Sequence, residues 1–536
     1  MKKLILLLAC LLSMMSLWAS WTWARTIGFE GMERIWDMAS DSQDYIFVVG
    51  EYADSLRVDN CFLQGTGLSD SFVLKLSSSG EAIWAVGLSS TEEDVALGVG
   101  TDALGNSFVC GYYIGTLQCQ GSQVVSEGLW DAYVAKFNPN GQLQWLNSFG
   151  GILNDIAYGI DVNSTGLVSI TGWFADQIDF EDDTSLVSAG GSDIFALTYN
   201  SSGELLWARR AGTVGVDYAY KVANDELGNT YITGSAGIGA DFGGPILDSD
   251  GMYIAKYNPA GEIQWINSSV NAAVICIEAQ DGTSPGQRGL VSGRLPGAGS
   301  IGDFSFETNN LSNDAYWAEY DLASGEWLHL EHFGGPGADK SRDAIFESYP
   351  IMVGSFEESL MIGEQTYYSL GTEDAFIYYR LGEEQIFITA GGPDIEAPSA
   401  VTVLNNGGIA VSGWHFGQSR FGSHLIDSQN SSNQNGFIAL YTPQICDSEE
   451  QYSPTPEFRL FPNPCHDRLR IELRDLGSAT DAAIYNLRGQ LIYRFGNLDP
   501  EAKVLEWNGT SNTGSGVPAG LYFVKLKDRI QSFLKL

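Results

Sequence analysis

Basic residues are scarce in this chain. Its 536 residues hold 28 Lys and Arg against 66 Asp and Glu, a formal charge of −38, and the imbalance is uneven. Residues 20–453 carry 15 basic and 57 acidic residues, whereas residues 454–536 carry 11 and 9. A field of that sign repels phosphates, so nucleic acid is excluded as a partner; an acidic surface of this kind keeps an exported protein soluble. Histidine is sparse too, at five. The sequence has no G-x-S-x-G element, no P-loop Lys-Ser/Thr after its Gly-rich stretches and no EF-hand order of carboxylates. Nucleophile-elbow, phosphate-cradling and EF-hand chemistry therefore lack their residues. Six cysteines follow the first nineteen residues, without CxxC spacing; of these only Cys110 and Cys119 lie close enough in sequence to suggest a bridge, and free thiols are the equal alternative. Past the leader, no apolar run approaches the ~20 residues of a membrane span.

The leader itself, MKKLILLLACLLSMMSLWAS, has a basic start, an apolar run and then small residues, which reads as a secretory signal peptide over residues 1–19. A lipoprotein-like stretch ends at Cys10, but the apolar run before it is short for an export signal and continues beyond it.

Glycine, by contrast, is abundant, at 63 residues, and seven of its copies are evenly placed. Gly50, Gly111, Gly172, Gly234, Gly293, Gly354 and Gly413 each close a β-rich run at intervals of about sixty residues, the signature of a repeat. A second run follows each, such as FVLKL, YVAKF and FIALY, with the period-two alternation of a strand. In the first four copies a Gly turn comes next, and four residues after its glycine stand Trp84, Trp145, Trp207 and Trp265. His329 and Ile386 occupy that place in the fifth and sixth copies. Four strands per unit and seven units predict an all-β, seven-bladed β-propeller over residues 20–445. Surplus length between the second and third strands predicts loops or an extra short hairpin on one rim. The seventh unit lacks a Trp strand, while the mature chain opens with one at Trp23, so the N-terminal strand is expected to close the ring and hide two sheet edges. The regular Trp column is expected to pack between blades.

Residues 446–456 read as an acidic, Ser- and Pro-containing linker, and 457–536 as a small immunoglobulin-like β-sandwich. The unit DAYVAKFNPNGQLQWLNSFGG resembles the SBBP-type β-propeller repeat of bacterial exported proteins; that resemblance implies the fold but no shared reaction. Phe461, Pro462, Asn463 and Pro464, then Arg488 and Gly489, then Gly520 and Tyr522, and Lys535 near the end resemble the type A C-terminal sorting domain of the type IX secretion system. The resemblance implies a Bacteroidetes-type source, a secretion signal read by the type IX machinery, and release or attachment at the cell surface.

Chemistry is harder to find. His329 and His332 have ligand-like spacing on a helix, but on a strand they face opposite ways, and packing is the favoured role. His415 and His424 show no acid partner in sequence. Asp70, Asp131, Asp193, Asp314 and Asp374 precede the third strand in five repeats and are expected to accept turn amides. Glu181, Asp182 and Asp183 are the one place where Ca²⁺ is considered, against a solvated charge run. No catalytic or cofactor-binding residue is assigned. The expected function is that of a monomeric secreted or surface propeller binding a polysaccharide or surface protein. The alternatives are an extracellular hydrolase, lyase or quinoprotein-like enzyme with an axial site, or a structural surface component.

Overall fold

The computed structural model describes residues 20–443, except 29–30, 181–183, 281, 283–285, 309–311, 348, 383 and 429–433, together with parts of 458–535. The leader, the linker, Cys446, Cys465, Pro462, Asn463, Pro464, Gly489, Glu181, Asp182 and Asp183 lie outside the described residues. Every described element is a strand. The chain divides into two compact units, Met1–Gln444 and Ile445–Leu536.

In the first unit seven antiparallel sheets each present an innermost strand: Glu33–Ser40, Asp94–Thr101, Asp155–Val162, Tyr218–Asn224, Ala273–Ala279, Lys340–Phe346 and Glu396–Val403. These strands touch one another in chain order, and Glu396–Val403 also touches Glu33–Ser40. Six sheets draw their four main strands from consecutive sequence. The remaining one combines Glu396–Val403, Ile409–His415 and Asn435–Thr442 with Ser20–Ile27. Within it Trp23 stands opposite Leu440 and Thr26 opposite Phe437.

The core lies between sheets, which is why third strands such as Asp70–Leu76 are buried at every position instead of alternating. One cluster joins Ile27 and Ala400, Ala410 and Ile438 of the last sheet to Ile35, Val48, Phe72 and Leu74 of the first. The surplus residues form short hairpins, for example Thr116–Cys119 with Ser122–Val125, and Gln418–Phe421 with His424–Asp427. These reach back to the preceding sheet: Ser89 bridges Gln118, Gly391 bridges Arg420, and Ser269 pairs with Ile301.

The repeated glycines have a single cause. Each innermost strand carries a bulge, between Ile35 and Asp37, Ala96 and Gly98, Ala157 and Gly159, Ala219 and Lys221, Val274 and Cys276, Ser341 and Asp343, and Pro398 and Ala400. The residue just before the bulge pairs with the repeat glycine, and a Cβ at Gly50 or Gly111 would collide with the carbonyl oxygen of Arg34 or Val95. The bulge forces backbone onto backbone, and only glycine leaves room.

In the second unit, Phe458–Phe461, Leu469–Leu473 and Val504–Trp507 form one sheet; Leu491–Phe495, Ala482–Asn486, Gly520–Leu526 and Arg529–Lys535 form another. Leu469, Ile471, Ile484, Trp507, Tyr522 and Val524 make its core. Tyr522 donates its hydroxyl to Pro518 O at 2.9 Å, and Lys535 is buried. Cys61, Cys110, Cys119 and Cys276 are free thiols, so the alternative without a Cys110–Cys119 bridge is the one found.

Candidate functional site

A bulge places one extra residue in a strand and re-aims its side chain. Here the seven bulged residues are Trp36, Leu97, Tyr158, Tyr220, Ile275, Arg342 and Ser399, and all seven line one cavity of about 420 Å³ surrounded by the innermost strands. Lys221, Arg294, Lys340 and Trp414 complete its polar and aromatic wall. Four of the 15 basic residues of positions 20–453 therefore gather here. None of the described lining residues is acidic.

The cations are held in different ways. Lys340 pairs with Glu373 at 2.9 Å, and Arg342 reaches the same carboxylate at 4.0 Å. Arg342 Nε is buried without a hydrogen-bond partner. Burial pulls the Arg342 guanidinium below its ordinary range, Glu373 opposes that, and the like charge of Arg294 adds to it. Arg34 stacks over Trp36 at 4.9 Å and Trp414 at 5.8 Å, tying these two indoles together. Tyr158 and Tyr220 meet edge to face, with centroids 5.9 Å apart and planes at 86°.

Farther along the same strands a second cavity, of about 300 Å³, has the opposite character. Asp37, Asp161, Glu278, Asp343 and Glu347 line it, with Lys221 common to both cavities. Lys221 Nζ lies 2.9 Å from Asp37 Oδ1. Burial draws the Lys221 ammonium down, but the charges of Asp37 and Asp343 outweigh it and hold its pKa above the usual lysine value. Burial pushes Asp161 up to about 6 and Glu278 well above the carboxylate range. Cys276 donates to Ala344 O at 3.1 Å, and burial raises its thiol pKa far above normal, so it is a packed thiol and no nucleophile.

The residues singled out in sequence sit elsewhere. His329 packs against Trp317 with ring centroids 4.7 Å apart and planes tilted by 41°, while His332 bonds Asp314 at 2.9 Å. His415 lacks an acid partner in sequence, but the fold supplies one indirectly: Ser419 Oγ donates to Glu396 Oε1 at 2.6 Å and lies 3.0 Å from His415 Nδ1. All three are fully buried, and the serine stands between acid and imidazole, the wrong order for a base-activated nucleophile. His424 Nε2 lies 2.9 Å from Trp21 O.

Four of the five repeated aspartates accept turn amides, from Thr66 to Asp70 at 2.9 Å and from Glu127, Ala189 and Leu370 to Asp131, Asp193 and Asp374 at 3.0 Å each. Asp314 bonds His332 at 2.9 Å. A second column at the start of the innermost strands was not foreseen. Gly151 donates to Asp155 at 2.8 Å, Gly335 to Asp339 at 2.6 Å and Gly392 to Glu396 at 2.9 Å. Burial pushes Asp94 and Glu396 up to about 7, and Asp155 and Asp339 up to about 8, with the facing aspartate of the first column adding to each.

The axial residues escaped sequence reasoning because they are scattered over seven repeats and differ in kind. The signal was nonetheless there. Five of them lie fourteen residues before their repeat glycine, Arg342 twelve and Ile275 eighteen, where the bulge that needs the glycine must fall.

An uncharacterized WD repeat-containing protein of Acanthamoeba polyphaga mimivirus is 22% identical over 242 residues, covering 37% of this chain and 17% of that protein. The chain thus spans under a fifth of the relative's length. Among solved structures, the C-terminal WD40 domain of Sif2 is 8% identical with a TM-score of 0.34, covering 78% of this chain and 99% of that one. PorZ, a surface component of the type IX secretion system of Porphyromonas gingivalis, is 10% identical with a TM-score of 0.16, covering 96% and 100%. Residues 459–535 match the secretion system C-terminal sorting domain. That match indicates that the chain is exported through type IX secretion, to the cell surface or beyond it.

Proposed function

We propose that the protein is an exported binding module: a seven-bladed propeller over residues 20–445, closed by its N-terminal strand and carried outward by the sorting domain of residues 457–536. The ligand site is the cavity ringed by the seven bulges. One observation carries this reading. Seven bulges bring Trp36, Leu97, Tyr158, Tyr220, Ile275, Arg342 and Ser399 to one place, a mixture of aromatic, aliphatic, cationic and hydroxyl side chains where a repeat serving packing alone would deliver similar ones. The buried, raised-pKa groups elsewhere among the described residues owe their shifts first to desolvation by burial.

Ser399→Trp fills the cavity from a bulge position. A screen of surface glycans and proteins is expected to yield a binder of the wild-type protein that this folded variant no longer retains. Equal retention by both sinks the site. Export is tested separately: removing residues 530–536 takes away most of the strand paired to Gly520–Leu526 and should trap the protein in the periplasm. Normal surface display of that truncation would count against the sorting role.

A further inference from the structure

We infer that the axial cavity binds an acidic saccharide, a sugar bearing carboxylate or sulfate; this deepens the binding reading above and rests on it. Charge selects the class. The chain carries −38 overall, yet this cavity is lined by Lys221, Arg294, Lys340 and Arg342 and by no described carboxylate. Glu373 and Asp37 pair Lys340 and Lys221 from outside the lining, so the charge an anion meets in the cavity is chiefly that of Arg294 and Arg342, and a concave low-dielectric wall focuses the field of such charges. The local geometry also lacks an acceptor. Arg342 Nε is buried and unpartnered, and Arg342 and Arg294 repel each other across the cavity wall. A carboxylate or sulfate oxygen in the cavity meets the guanidinium ends of these two residues and relieves their repulsion, which a neutral group does not.

The aromatic residues narrow the choice further. A flat aromatic anion is held best between two parallel rings, and this cavity offers none. Tyr158 and Tyr220 meet at 86°, and Arg34 stacks on both Trp36 and Trp414. A pyranose needs only one ring face for its C–H surface, and Tyr220 and Trp414, each half-buried in the wall, provide that. The sugar therefore rests on an aromatic side chain while its acidic substituent reaches Arg294 and Arg342.

The test uses the full exported chain and calorimetry with four probes: trigalacturonate, its methyl ester, a sulfated disaccharide and neutral maltotriose. One or both acidic probes are expected to bind, and to weaken as salt rises to about 0.3 M. The ester and maltotriose should bind at least tenfold more weakly. Arg294→Gln, at an exposed position, and the Arg294→Gln/Arg342→Gln pair should lose tenfold or more affinity. An unchanged melting temperature in Arg294→Gln separates this from misfolding. Galacturonate against sulfate identifies which acid the site prefers. Equal binding of the ester or maltotriose overturns the inference while leaving a ligand cavity. Acid binding unaltered in both variants overturns the placement. No binding by any probe overturns the inference, and the Ser399→Trp comparison then decides separately whether the cavity binds anything.

Discussion

The indole of Trp84 lies against Gly141, the turn glycine of the next sheet, and its Nε1 donates to Pro139 O at 3.1 Å. Trp145 has the same relation to Gly203, and Trp23 of the N-terminal strand has it to Gly80. The Trp column is thus an inter-sheet clasp, and its partner is a glycine held at positive φ. Where the Trp has drifted to His329, the corresponding Gly382 has nothing within 4 Å, and an ion pair of Glu331 with Arg380 at 2.9 Å joins the sheets instead.

Gly141→Ala should therefore destabilise more than the same change at a turn without the clasp. At Gly141, φ is +77° and a Cβ would come within 2.8 Å of Trp84. At Gly407, φ is +80° and nothing lies within 4 Å. Both changes pay the left-handed strain of about 1 kcal/mol, and Gly141→Ala should lose about 1–2 kcal/mol beyond it. Denaturant melts of the two variants check this; equal losses would dismiss the clasp.

Deleting residues 20–30 should expose the edge of Asn435–Thr442, which pairs with Ser20–Ile27. It also removes Trp21, buried against Phe421 with centroids 4.9 Å apart. An unpaired hydrophobic edge recruits other chains, so aggregation is expected by size-exclusion chromatography. A monomeric deletion with an unchanged melting temperature contradicts the shared sheet.

Stability should fall as pH rises from about 4 to 8. Asp94, Asp155, Asp339 and Glu396 have folded pKa values raised by burial to about 7, 8, 8 and 7. Between the unfolded carboxylate values near 4 and these raised ones, the folded state holds protons that the unfolded state has released. That contribution is fully present below the unfolded pKa and is lost as pH passes through the folded one. Melting temperatures at pH 5 should exceed those at pH 8.5; a flat profile would show that the buried acids titrate normally.

Lys221→Met removes the cation facing Asp37 and Asp343. Two buried carboxylates then stand without it, and a loss of about 2–3 kcal/mol is expected, discounted because Lys221 is partly open to solvent. Asp37→Asn in the same background should recover part of the loss. Failure to recover any would show that the methionine acts through packing.

Much of the fold was legible in residue spacing. The glycine column, the strand runs and the Trp column all repeat at about sixty residues because each repeat solves the same packing problem between two neighbours. The sorting segment was legible for a different reason: its short motifs are contiguous. The pairing of Thr26 with Phe437 joins segments from opposite ends of the unit, yet it was signalled by a Trp strand missing in one place and present in another. The carboxylates of Asp155 and Asp339 were not legible, since nothing in a local sequence tells how deeply a strand's first residue is buried.

By itself the sequence determined the number of repeats, the place of their turns and the acidic balance of the chain, because these depend on local pattern and on composition. Tertiary structure alone decided where charge collects. Lys221, Arg294 and the Lys340 and Arg342 of a single strand are far apart along the chain and unremarkable there. They line one cavity only because the innermost strands pack against one another, which brings Arg342, itself a bulged residue, and Lys221, next to the bulged Tyr220, together with Arg294 and Lys340 from neighbouring strand positions.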